Sequence, residues 1–181
     1  MELARKVGFG GEIHLSTLAN VSFPSALGWL KKKFGIDRVV LPRELSVDEI
    51  KQMTAACPGG MGVEIFIHGA LCYGVSGRCY WSSYMGGKSG LRGRCVQPCR
   101  RSYRLKGQEK RFFSCQDFSL DVLAKVLLGE KKISAWKIEG RKKGPHYVYM
   151  TASAYRLFRD RAGEVGAKKE ALALLEMHWE E

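Results

Sequence analysis

The sequence predicts an α/β protein in which parallel β/α units form half of a (β/α)₈ barrel, with a long cysteine-rich insert after the third strand. Short apolar runs alternate with stretches of helical period, and four such units can be counted. The alternation breaks once, between Leu71 and Ser114, and four of the six cysteines fall inside that break.

The runs at Glu12–Thr17, Arg38–Pro42, Val63–Gly69 and Ser134–Gly140 read as buried strands. Each is short, rich in β-branched or aromatic residues, and bounded by breakers. Helical period marks Pro24–Phe34, Val47–Ala56, Leu120–Leu128 and Tyr147–Arg161. Ser46 with Glu49 three residues later matches a capping box, and Pro24 and Pro145 suit first-turn positions. Strands alternating with helices imply right-handed crossovers and a parallel sheet buried on both faces. A complete barrel needs about 250 residues, so its earlier strands are expected to lie outside these 181 residues. The division predicted is a partial barrel domain over 1–162, carrying the insert 71–114, and a helical tail over 163–181. Ala171, Leu172, Leu174 and Leu175 form the tail's packing face.

Hydrophobic residues make up 45% of the chain, enough for a substantial core and too much for disorder. The opening MELARKVGFGGEIHL lacks the apolar run of a secretory signal, and no apolar stretch has the length of a membrane span. A cytoplasmic protein without a membrane partner is expected. In a reducing cytosol six cysteines point to metal rather than to a disulfide framework. The formal net charge is +12, and between Arg78 and Arg111 ten Lys/Arg face the single acid Glu109. Such density attracts polyanions, RNA among them, although a solvated basic face has the same composition.

The insert starts where a parallel strand ends, the side on which such sheets place their active sites. An ordinary βα loop has roughly 2–6 residues. The cysteines run Cys72, six residues, Cys79, fifteen residues, Cys95, three residues, Cys99. Four thiolates suit zinc or an iron–sulfur cluster, and the six-residue gap is wide for a zinc ribbon, which puts the cluster first and zinc second. Arg78, Arg94 and Arg100 adjoin three of these cysteines and are expected to lower their thiol pKa values. Cys115, near a predicted helix start, is an alternative fourth ligand, and Cys57 is read as structural. Inert buried thiols are the competing reading.

Glu44 and Glu139 sit at predicted strand ends beside Arg43 and Arg141. They are candidate acids or bases, the arginines candidate clamps for a carboxylate or phosphate, and a structural Arg–Glu pairing is the alternative. Arg78 and Arg100 are further candidates for holding an anionic substrate. His68, at the end of the third strand, is a catalytic candidate or a satisfied core histidine. Tyr80, Trp81, Tyr84 and Tyr103 interleave with the arginines and suit either base stacking or a cover over a metal centre. His14, His68, His146 and His178 form no HExxH pair and no GxSxG occurs, so proteolysis would rest on a Cys–His dyad such as Cys72 with His68.

The text EIFIHGALCYGVSGRC, from Glu64 to Cys79, resembles the signature of the collagenase-like peptidases, peptidase family U, number thirty-two. STLANVSF, VVLPRELSVDEI, GRCVQPCR, SCQD and KIEGRKKGPHYV resemble further motifs of that family in its order, over about Ile13 to Tyr155. The resemblance implies a TIM-like barrel whose earlier strands precede STLANVSF, completed here by a separate chain or a second copy. It implies a four-iron, four-sulfur cluster on Cys72, Cys79, Cys95 and Cys99, since relatives act in hydroxylation of tRNA or rRNA bases and in oxygen-independent ubiquinone synthesis. Prephenate is implicated as the hydroxyl source in the RNA-modifying relatives. The family name implies a peptidase instead, and a non-catalytic binding module is the third reading.

Overall fold

The chain runs α1 (Glu2–Lys6), β1 (His14–Leu15), α2 (Ser25–Phe34), β2 (Arg38–Val40), α3 (Val47–Ala55), β3 (Gly62–Ala70), α4 (Trp81–Gly86), β4 (Tyr103–Leu105), β5 (Gln108–Lys110), β6 (Asp117–Ser119), α5 (Ala124–Leu128), β7 (Ile133–Ile138), α6 (Pro145–Asp160) and α7 (Ala167–Glu176). This computed structural model describes residues 1–114, 116–141 and 143–177. Local chemistry sets several boundaries. The Ser46 hydroxyl accepts the Glu49 N–H while the Glu49 carboxylate accepts the Ser46 N–H, so the capping box forms at α3. Pro145 occupies the first turn of α6, and Gly35 closes α2 in the left-handed region at φ 61°.

β1, β2, β3 and β7 lie side by side in parallel, in that order. One face is packed under helices: Val39, Leu41, Val63, Ile65 and Ile67 meet Leu27, Met53, Leu127, Ala154 and Phe158 in one core. Ala171 and Leu175 of α7 are buried in that same core, so the predicted tail helix is an integral layer.

Two expectations are corrected. The sheet is mixed, because β6 pairs antiparallel with His68–Ala70 at the far end of β3. It is also covered on one face only. The other face carries Glu64 with Arg38 at 3.6 Å and Lys137 at 2.7 Å, and charges at this density are seldom given up to an apolar layer. DFS, three residues long, is too short to show a strand alternation, which explains why β6 escapes a periodicity reading.

A bulge in β3 re-aims its end. Phe66 pairs with Lys137 and His68 with Ile138, which leaves Ile67 unmatched. His68 is thereby turned under α6, fully buried, with its Nδ1 3.2 Å from Ser119 Oγ and 3.3 Å from Tyr155 Oη. Tyr155 donates to the Ile67 carbonyl (2.9 Å) and Tyr147 to that of Glu139 (3.0 Å). Burial pushes both phenols up to about 12. A phenol held neutral by the fold stabilises the protein fully below the unfolded value of about 10 and loses that contribution as pH rises toward 12. Alkaline titration followed by circular dichroism and tyrosinate absorbance is expected to show unfolding between about pH 10 and 12, weaker in Tyr155→Phe.

No helix among the described residues is long and apolar enough to cross a membrane.

Candidate metal centre

The parallel strands end around a cavity of about 450 Å³. Arg43 reaches it from beyond β2, Phe66 and Ala70 from β3, and Glu139 and Arg141 from beyond β7. Cys72, Cys79, Cys95 and Cys99 all line the same cavity. The sequence therefore brings four thiols, from two well-separated stretches, to the C-terminal ends of the strands.

Backbone geometry does the positioning. Gly69 has φ 118°, and a Cβ there would collide with the Glu139 carbonyl, so the ends of β3 and β7 stay in close contact only with glycine. Gly77 has φ 72°, and a Cβ would strike the Leu18 carbonyl, which seats the first cysteine loop against the turn after β1. The Glu44 carboxylate clamps that loop by accepting from both the N–H and the hydroxyl of Ser76. Between the second pair, Gln97 adopts the left-handed conformation (φ 51°), and its N–H donates to Cys95 Sγ at 3.3 Å.

The segment has its own small apolar centre. Trp81 stacks on Tyr103 with ring centroids 6.1 Å apart, and Phe113 packs edge-on against Trp81 (4.7 Å) and Tyr73 (5.3 Å). Of the four aromatic candidates, Trp81 and Tyr103 serve this packing, whereas Tyr80 and Tyr84 are 68% and 89% exposed.

Burial pushes the Cys72 and Cys99 thiols above the ordinary cysteine value. The nearby backbone N–H of Gly74 at Cys72 and of Tyr73 at Cys99 works in the opposite direction, and the neighbouring thiols reinforce burial. At Cys99 the expected lowering by Arg100 is thus corrected. The cation that acts on Cys72 is Arg43. Arg78 and Arg94 are exposed, and Arg100 is committed to Asp117 at 2.6 Å. Adjacency in sequence does not fix where a long side chain ends.

Arg43 is ion-paired to Glu139 and stacks over Phe66, its guanidinium carbon 3.6 Å from the ring centroid. Its buried Nε has no hydrogen-bond partner among the described residues. Glu139 pairs with Arg43 rather than with neighbouring Arg141, which donates to the carbonyls of Gly93 (3.3 Å) and Cys95 (3.4 Å). His68 lies behind the sheet and does not line the cavity, so among the described residues the Cys72–His68 dyad does not form. Cys57 is buried and donates to the Met61 carbonyl (3.3 Å). Cys115 and His178 lie outside the described residues.

Asp117 is the residue that sequence reasoning missed. Its side chain is 1% exposed and lies 2.6 Å from Arg100 and 3.4 Å from Lys143. Its place in the SCQD motif was the available signal.

Four thiols around one cavity, one of them accepting a backbone N–H, suit an iron–sulfur group, whose thiolates are tuned by such bonds. Among the described residues, no three His, Cys, Asp or Glu side chains converge closely enough to hold a single metal ion. The thiols ring a cavity instead.

Fold and site together define an α/β protein with a mixed, mainly parallel sheet and a cysteine-lined cavity at the ends of its parallel strands. The chain belongs to peptidase family U32, whose sequence model matches residues 1–180. It is 37% identical over 168 residues to the tRNA hydroxylation protein P1 of Bacillus subtilis (strain 168), covering 86% of this chain and 39% of that protein. It is 34% identical over 170 residues to a collagenase of Porphyromonas gingivalis, covering 81% and 39%. A 23S rRNA 5-hydroxycytidine synthase of Escherichia coli is 36% identical over 155 residues, covering 82% and 23%. The chain thus spans about two fifths or less of the length of these relatives. No solved structure gives a significant match.

Proposed function

We propose that this chain is the cluster-bearing part of a cytoplasmic protein that takes part in hydroxylating a base of tRNA or rRNA. The observation that carries the reading is the quartet Cys72, Cys79, Cys95 and Cys99 around one cavity, with the Gln97 N–H donating to the Cys95 sulfur. Thiols spread around a cavity support a four-iron, four-sulfur cluster over a single tetrahedral zinc ion. The four parallel strands are read as half of a TIM-like barrel with the cysteine segment as an insert at its mouth. Another stretch of protein or a second copy supplies the remaining strands. The names of the Bacillus and Escherichia relatives support RNA as the substrate.

When bound, the cluster would supply iron for redox or Lewis-acid chemistry at the cavity wall. The chain's own residues do the rest. Arg43, fixed by Glu139 and Phe66, places a positive charge beside Cys72 and offers its unpaired Nε to an anionic group. Arg141 holds the Gly93–Cys95 backbone against the end of β7. Tyr80 and Tyr84 present open ring faces to unpaired bases. The collagenase name of one relative supports a peptidase, but the separation of Cys72 from His68 gives that reading no nucleophile–base pair among the described residues.

Anaerobic reconstitution followed by iron, sulfide and zinc analysis tests the centre, and the expected result is a brown protein with about four iron and four sulfide per chain. A colourless product without iron sinks the cluster. Nucleoside mass spectrometry of RNA from cells with and without the full-length gene tests the substrate, and unchanged hydroxylation in both RNA classes rules it out.

A further inference from the structure

A second cavity of about 290 Å³ opens beside the cysteine-lined one. Arg100, Arg101, Arg111, Arg141 and Lys143 line it, with Glu139 as the one acid. Glu139 is already ion-paired to Arg43, and the other acid nearby, Asp117, is buried behind Arg100 and Lys143. Leaving Arg111 aside, five cations, Arg43 among them, against two carboxylates leave an excess of three positive charges among the described residues around this concavity.

Three separate stretches of chain supply the five lining cations. Gathering like charges in a concave, partly desolvated place is unfavourable unless an anion is held there. Guanidinium forks and an ammonium arriving from different sides match a tetrahedral oxyanion with several acceptor oxygens better than a planar carboxylate with two. Ala70, Gln97, Arg100, Glu139, Gly140 and Arg141 are shared by both cavities, so a group seated in one extends into the other.

We propose that the basic cavity is a phosphoryl-binding subsite, which seats a phosphate of a nucleic acid strand or a free nucleotide so that the attached nucleoside reaches the cysteine-lined cavity. The strand as source rests on the RNA reading above, whereas the phosphoryl seat stands without the metal. Asp117 is a positioning residue that holds Arg100 and Lys143 at the cavity wall.

The test is calorimetric titration of the full chain, iron-free and reconstituted, with inorganic phosphate, cytidine 5′-monophosphate, a short single-stranded oligoribonucleotide and citrate. Arg101→Gln and Lys143→Gln, both at exposed positions, are each expected to weaken the phosphate-bearing probes about tenfold. The control Lys168→Gln on α7 should stay within about twofold. With the oligoribonucleotide each cavity variant should also reduce the salt slope by about 0.7. Tight binding of the strand alone identifies the strand as source, and binding of the monophosphate identifies a nucleotide. Undiminished binding in both cavity variants, or citrate binding as tightly as the phosphate probes, overturns the subsite. Phosphate binding in a protein that takes up no iron keeps the subsite and sinks the cluster reading.

Discussion

Cys95→Ala is expected to reduce reconstituted iron from about four atoms per chain to below one, whereas Cys57→Ala leaves iron uptake unchanged. Both are single thiols lost from the same fold, so the contrast separates a ligand from a buried hydrophobe. Cys57 donates to a carbonyl within its own loop and does not line the cavity, so its loss removes packing and a weak hydrogen bond. Cys95 accepts the Gln97 N–H, and Gln97 is itself held at positive φ. A non-glycine residue in that region costs of order 1–3 kcal/mol and persists where the surroundings enforce it. Iron and sulfide analysis of both variants after identical anaerobic treatment reads the result, and equal iron in the two would remove Cys95 from the ligand set. The same assay on Cys115→Ala decides between the quartet and the alternative fourth ligand.

Asp117→Ala is expected to destabilise the fold by about 3 kcal/mol, because removing one partner of a buried pair leaves the other uncompensated. The Asp117 side chain is almost fully enclosed, and Arg100, 16% exposed, would keep its charge in a poorly solvated place. For a chain of this size the midpoint of thermal unfolding should fall by roughly 6–12 °C. Asp160→Ala, which removes the exposed partner of Arg159, should leave the unfolding midpoint close to that of wild type. Urea denaturation of the three proteins measures this, and equal midpoints for Asp117→Ala and wild type would show that the Arg100 charge is well solvated.

Strands whose apolar runs exceed the noise of composition could be read from sequence: β2, β3 and β7 overlap the runs RVVLP, VEIFIHG and SAWKIEG that predict them. β6 could not, because three residues with polar flanks carry no period and its pairing depends on the fold already formed. The one-sided burial of the sheet was half visible, since Glu64 and Lys137 break the apolar runs at alternate positions. In the site, cysteine spacing and the strand-end location were sufficient to place the quartet. The partners of the arginines were not legible, because a side chain with four torsions selects its acid in three dimensions: Arg43 chose Glu139 and Arg100 chose Asp117. His68 misled for a backbone reason. Strict alternation places it with Glu64 and Phe66 beside the cavity, and one extra residue at Ile67 sends it to the opposite face.

That extra residue divides β3 into two mutational territories. Changes at Glu64 and Phe66 fall on the face that carries Arg38, Arg43 and Lys137, outside the helix-packed core cluster, and changes at Ile65, Ile67 or His68 would tax folding. A combinatorial library confined to the first pair should therefore retain folded members at high frequency, so that new specificities could be sampled on this strand without first acquiring compensating stability.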